Sequence, residues 1–239
     1  MKYGITKAKT TLLPKDLIRV PHKGGDLIGA TFGPATYNRN TVAMSGEYFH
    51  SDEFPRVSFR EGTTEESISV VAYQFGQIAK LQIFDTNWLQ AGRIVKTSGG
   101  VFTNTSETDE VTLKTLLNKA EKVNGIYFID DQMAFAPYES FKTGIQEGEE
   151  FAEGGLARAL EHTDKQVAKN LKEIASFYEK GVNVWGFDKV GKPVSTVSAL
   201  GSDRYLNYWL CVDGGNRGGS RSGCAFGVLR TGKASRDEK

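Results

Sequence analysis

Histidine, cysteine, net charge and long apolar runs are all scarce in this sequence, and each shortage removes a class of function. Its 239 residues include three histidines and two cysteines, and 30 basic side chains nearly cancel 29 acidic ones. His22, His50 and His162 stand apart, with no pair at i and i+4 around a glutamate, so there is no zinc-hydrolase pattern and no metal or cofactor is expected. Cys211 and Cys224 are too few for the disulfide framework of a small secreted domain. Buried thiols are their simplest role, although a hairpin across the glycine-rich stretch between them would bring them together. Near neutrality supplies no global field to recruit nucleic acid or an anionic membrane, which leaves recognition to local patches. The opening Met1-Lys2-Tyr3-Gly4-Ile5-Thr6-Lys7 has none of the apolar continuity of a signal peptide or membrane span. Synthesis in a cytoplasm is therefore expected, which does not fix where the protein ends up.

Catalytic signatures are also missing. There is no Gly-x-Ser-x-Gly elbow and no glycine loop ending in Lys-Ser or Lys-Thr, so the serine-hydrolase and P-loop readings fail. His50-Ser51-Asp52-Glu53 places an imidazole near two carboxylates, as short polar turns often do. Asp130-Asp131 follows a predicted strand, and Glu147, Glu149, Glu150 and Glu153 are closely spaced. A strand-ending turn and an acidic helix start favoured by the dipole explain both groups more simply than acid–base chemistry. No catalytic residue is assigned.

With 39% apolar and 11% aromatic residues, the chain can bury one large core or two modest ones. Residues 1–62 are rich in Gly, Pro, Asn and Thr, with short β-prone pieces at Asp16–Val20 and Arg56–Phe59. Thr63-Thr64-Glu65-Glu66 then has capping-box spacing, and Ile68, Val71, Ala72, Phe75, Ile78 and Ala79 follow at helical intervals, predicting an amphipathic helix over 64–79 with one buried stripe. Leu81–Phe84 and Arg93–Val95 read as strand, and the polar stretch Thr97–Thr108 as a boundary. A helix carrying Val111, Leu113, Leu116, Leu117 and Ala120 precedes a strand at Ile126–Ile129. Between Gln146 and Lys180 the pattern is helical, but Gly154-Gly155 divides it into two helices. The second helix starts on the capping-box spacing Thr163–Gln166, buries Val167, Leu171, Ile174 and Tyr178, and stops at Gly181. Short β-runs return at 182–187, 194–197, 205–212 and 224–229. The expected fold class is α+β: a β-rich region 1–105 with one amphipathic helix, then an α+β module over 106–239.

The most unusual stretch is Asp213-Gly214-Gly215-Asn216-Arg217-Gly218-Gly219-Ser220-Arg221-Ser222-Gly223. Its glycines permit close backbone approach, and Arg217 and Arg221 offer planar donors for carboxylate, phosphate or sugar hydroxyl groups. It is too short and isolated for an Arg-Gly nucleic-acid segment and sits between aromatic β-runs, so a structured loop joining two strands is the better reading. The run Trp209–Val228 resembles the closing segment of C-type-lectin-like modules of the formylglycine-generating-enzyme type, a segment that recurs at the C terminus of bacteriophage tail and head-fibre proteins. Arg217 stands where those modules usually carry tryptophan, the closing Gly-Phe-Arg is absent, and a charged stretch runs from Lys233 to Lys239. The catalytic cysteines of the formylglycine-generating enzymes have no counterpart here.

The resemblance implies a C-type-lectin-like C-terminal module and a bacteriophage virion structural protein: a tail, fibre or capsid-decorating component located in the virion. Binding is expected through Asn216, Arg217 and Arg221, with Tyr208 and Trp209 flanking them, although core packing is the simpler role for Trp209. Expected partners are further copies of the chain, other virion proteins, and a host-surface glycan or protein. Two other readings compete. One is an enzyme with a carboxylate-lined cleft, which requires Asp130, Asp131 or the 147–153 glutamates to converge. The other is nucleic-acid binding through the Arg/Gly loop, which near neutrality disfavours.

Overall fold

The computed structural model describes residues 18–21, 26–34, 36–38, 41–43, 60–77, 88–202, 209–215 and 223–233, with side chains described over 62–73, 88–202 and 209–215. In chain order the elements begin with β1 (Ile18–Pro21), β2 (Asp26–Pro34), β3 (Thr36–Asn38), β4 (Thr41–Ala43), β5 (Arg60–Glu61), α1 (Thr64–Gln77), β6 (Trp88–Lys96) and β7 (Gly100–Thr103). They continue with α2 (Glu110–Asn118), β8 (Glu121–Val123), β9 (Ile126–Phe128), β10 (Ala134–Pro137) and β11 (Gly144–Gln146). Last come α3 (Gly148–Glu153), α4 (Gly155–Leu160), α5 (Lys169–Ala175), β12 (Val182–Trp185), β13 (Val194–Ser202), β14 (Leu210–Asp213) and β15 (Gly223–Lys233). The strands expected at Arg56–Phe59 and Leu81–Phe84 lie outside the described residues.

The fold is α+β, built on a mixed sheet in the order β11-β12-β14-β13-β6-β7-β10-β9-β8. β15 pairs with the start of β6 and also with β2 and β5, while β3 and β4, among the described residues, pair with each other in a separate sheet. The sheet runs across residue 105, with β6 and β7 before it and β10, β13 and β14 after it. The stretch 97–108, read from sequence as polar, contains β7, whose Val101 and Phe102 are buried.

Alternation along the strands separates two faces. Leu89, Val182, Val184, Leu200, Leu210 and Val212 point toward α1 and α5 and form the main core with Ile68, Val71, Leu171 and Ile174. On the other face, α2 covers Val95, Phe102 and Phe135 through Leu113. Of the apolar residues that marked this helix in the sequence, Leu113 is buried and Val111 is 71% exposed. Periodicity fixed the helix but not which of its apolar residues met the sheet.

Helix α1 begins as its sequence predicts. The Thr63 amide donates to Glu66 Oε2 at 3.0 Å and the Glu66 amide to Thr63 Oγ1 at 3.2 Å, closing a capping box. The expectation of one buried stripe is corrected over 64–72, where every residue is buried. The first turn presses on the sheet at Gly92, where a β-carbon would lie 2.6 Å from Thr64 Cγ2. Asn104 Oδ1 accepts the Thr64 amide at 2.8 Å.

The expectation of two helices between Gln146 and Lys180 is also corrected, because three short ones form. Gly154 is extended (φ −64°, ψ 148°) and divides α3 from α4. The spacing Thr163–Gln166 does not start α5. His162 adopts φ +47° and turns the chain, and the Asn170 and Leu171 amides donate to Glu161 Oε1 and Oε2, each at 3.0 Å. A carboxylate from the preceding helix thus replaces the local cap. Val167 lies before the helix and is half-buried, whereas Leu171 and Ile174 are fully buried and Tyr178 packs on the same core.

Candidate functional site

The candidate site is the place where the glycine-rich segment leaves β14. Asp213 closes that strand and is buried, and its Oδ1 accepts the Gly215 amide at 2.6 Å, an Asx-type turn. The Gly214 amide donates to the Trp185 carbonyl at 2.9 Å, and Thr196 Oγ1 donates to the Gly214 carbonyl at 2.9 Å. Three neighbouring strands therefore hold this turn: β14 supplies the carboxylate, β12 a carbonyl and β13 a hydroxyl. A β-carbon at Gly214 would lie 2.5 Å from the Phe187 ring, so the backbone rests directly on that side chain.

The β12–β13 connection meets the same turn. Gly186 adopts φ +73°, and a β-carbon there would lie 2.6 Å from Asp213 Oδ1 and 2.8 Å from Gly215 Cα. Lys96, buried at the end of β6, donates from Nζ to the Gly186 carbonyl at 2.7 Å. Burial lowers the Lys96 pKa, opposed by the negative charges of Asp188 and Asp213. Tyr138 donates its hydroxyl to the Asp188 carbonyl at 2.9 Å. Burial, helped by the Asp188 charge, pushes its phenol up to about 12. The Tyr138 ring packs on Phe141, and Phe141 meets Phe187 edge-on with centroids 6.3 Å apart, which completes a floor beneath both segments.

The chain's three tryptophans share the sheet face opposite the main core. Trp88 lies against Gly201, and its ring centroid is 6.2 Å from that of Trp185. Alternation back from Asp213 and Cys211 puts Trp209 on the same face, half-buried, with Lys180 Nζ 5.2 Å from its ring centroid. Of the predicted binding residues only Trp209 is described; Tyr208, Asn216, Arg217 and Arg221 lie outside the described residues. Lys96, Tyr138, Thr196, Gly186 and Phe187 were not singled out from sequence. Asp213-Gly214-Gly215 carried a legible turn signal, an Asx residue before two glycines, whereas the lysine and tyrosine come from distant elements without a motif.

The two cysteines are not hairpin neighbours. Cys211 is buried, and β13 and β6 lie between β14 and β15. Three strand spacings make about 14 Å, beyond the reach of a disulfide.

The carboxylates considered for chemistry are engaged separately. Asp130 Oδ1 accepts the Gln132 and Met133 amides at 2.8 and 2.7 Å, closing the turn before β10, and Asp131 is exposed beside it. Glu149 pairs with Lys172 and Glu150 with Lys142, while Glu147 is the N-cap residue of α3 and Glu153 ends that helix. His162 Nε2 lies 2.9 Å from the Asp130 carbonyl. The segment His50–Glu53 lies outside the described residues. Among the described residues, no three His, Cys, Asp or Glu side chains gather as a metal-holding group, and no helix is long and apolar enough to cross a membrane.

No family model matches the sequence, and no curated protein matches it. A solved structure from work on the accommodation of massive sequence variation in Nanoarchaeota by the C-type lectin fold is similar at 15% identity, covering 74% of this chain and 99% of that chain with a TM-score of 0.36. At that TM-score the likeness is distant, and it says nothing of what this chain binds.

Proposed function

We propose that this chain is a binding and display protein, a structural component of a bacteriophage particle in its tail, fibre or capsid decoration, whose contact segment is 213–223. The observation that carries the reading is the clamped root of that segment. A buried carboxylate, a hydroxyl, a strand carbonyl and an aromatic floor fix the Asp213–Gly215 turn, and a contact segment with a fixed root loses less freedom on binding. The sequence resemblance of 209–228 to the closing segment of phage C-type-lectin-like modules supports the virion placement. Repetition in a particle makes self-association part of the same reading.

The test is the double variant Arg217→Ala/Arg221→Ala. Folding stability should stay within about 0.5 kcal/mol, as at surface sites, while binding to co-purifying tail or capsid proteins weakens. A variant that folds and assembles normally removes 213–223 from the contact surface. Light scattering should report more than a monomer, and a monomer at high micromolar concentration counts against self-association.

A further inference from the structure

Arg158, in α4, is a buried cation, only 6% exposed. Its Nε donates to the Glu153 carbonyl at 3.1 Å and its Nη2 to the Asn124 carbonyl at 2.7 Å, while Nη1 is buried without a partner among the described residues. Burial lowers its pKa, yet a guanidinium stays charged at neutral pH. Buried arginines are normally paired with an anion; this one meets two neutral carbonyls.

One of those carbonyls lies in a chemically reactive turn. Asn124-Gly125 is the sequence's one Asn-Gly pair, and it forms the two-residue connection between β8 and β9, where Val123 pairs with Ile126. Both residues are left-handed, Asn124 at φ +49° and Gly125 at φ +85°, and both are exposed. The space around Gly125 is open, and its amide has no acceptor among the described residues. Asn124 Nδ2 donates to the Asp164 carbonyl at 2.9 Å, which holds the side chain in one position. The carbonyl that Arg158 grips and the Gly125 amide belong to one peptide unit. When that amide loses its proton, resonance places the negative charge on the Asn124 oxygen, where the guanidinium stabilises it as an oxyanion-hole donor does.

We propose that Asn124-Gly125 is a self-modification site, in which Arg158 promotes attack of the Gly125 nitrogen on the side-chain amide carbon Cγ of Asn124. A bond forms between that nitrogen and Cγ, closing a succinimide ring. The Cγ–Nδ2 bond breaks, and Nδ2 takes up, through solvent, the proton that Gly125 lost and leaves as ammonia. Water then opens the ring at either carbonyl, giving aspartate or isoaspartate. The turn gains a negative charge and loses its donor to Asp164. Isoaspartate also adds a methylene to the backbone between two strands of 3 residues each, at the edge of the sheet.

The test holds the purified full chain at neutral pH, folded and in concentrated guanidinium chloride, and follows by peptide mapping the gain of about one dalton as ammonia is lost and water added. Folded wild type should convert Asn124 about tenfold faster than the unfolded chain or more, because unfolding removes a hydrogen bond from a charged donor. Arg158→Gln, which keeps a donor but no charge, should slow the folded reaction by a similar factor. It should also move the rise of the rate to higher pH, since the deprotonated amide forms less readily. Circular dichroism establishes whether the variant is folded; if it is not, the comparison of folded with unfolded wild type decides. No conversion at Asn124, a folded rate no faster than the unfolded one, or a folded Arg158→Gln that reacts like wild type would each overturn the proposal.

Discussion

Replacing Gly186 with alanine tests the clamped root directly. Gly186 is left-handed at φ +73°, which costs a non-glycine residue about 1–2 kcal/mol. Its new methyl group would enter occupied space, 2.6 Å from Asp213 Oδ1 and 2.8 Å from Gly215 Cα. Overpacking of this kind adds about 1–3 kcal/mol, and the stiffer unfolded chain returns about 0.4–1 kcal/mol. The net loss is on the order of 2–4 kcal/mol, or about 5–15 °C in Tm for a chain of this length. Two further glycines separate the contributions. Gly144 has φ +89° but open space around it, so alanine there should cost about 1 kcal/mol of backbone strain alone. Gly191 has open space and no left-handed backbone, so alanine there should change stability by less than about 0.5 kcal/mol or raise it slightly. Urea unfolding of the three variants gives the ranking, with unchanged slopes required for the comparison. If Gly186→Ala matches Gly144→Ala, the close approach to Asp213 and Gly215 contributes nothing and the clamp is not rigid.

Leu171→Ala should cost about 2–5 kcal/mol and Val167→Ala about 1 kcal/mol or less, because the first side chain is fully buried and the second half-buried ahead of the helix; equal urea midpoints for the two would contradict that placement. Tyr138 holds its proton more tightly when folded, so its contribution is complete below pH 10 and is lost as pH rises toward about 12. The stability difference between wild type and Tyr138→Phe should therefore shrink across that window, and a constant difference would refute the buried-phenol account. Alkylation of the unfolded, unreduced chain should modify both Cys211 and Cys224, whereas a mass with neither modified would show a bridge that the strand order forbids.

What sequence showed of this fold depended on the distance between cause and effect. The α1 start was legible because Thr63 and Glu66 complete the cap within four residues. The α5 start was not, because its cap comes from Glu161, across the turn at His162. In α2 the spacing marked the apolar residues but could not tell that Leu113 meets the sheet and Val111 faces solvent. In the site, Asp213-Gly214-Gly215 announced its turn, while Lys96 and Tyr138 reach Gly186 and Asp188 from 90 and 50 residues away. No spacing rule covers that range.

The pairing of β6 with β13 sets a schedule for synthesis. These neighbours lie about 100 residues apart in the chain. A ribosome adds about 5–20 residues per second, so the β6 edge destined for β13 waits on the order of 5–20 s after it emerges. The β6–β7 hairpin can form early and protect one side. The other presents Leu89, Ala91 and Ile94 beside unpaired backbone donors and acceptors for the whole interval, and in a polysome the nearest complementary edge belongs to another nascent copy. Slowing translation ahead of Val194 should therefore raise the aggregated fraction even though the finished protein is unchanged.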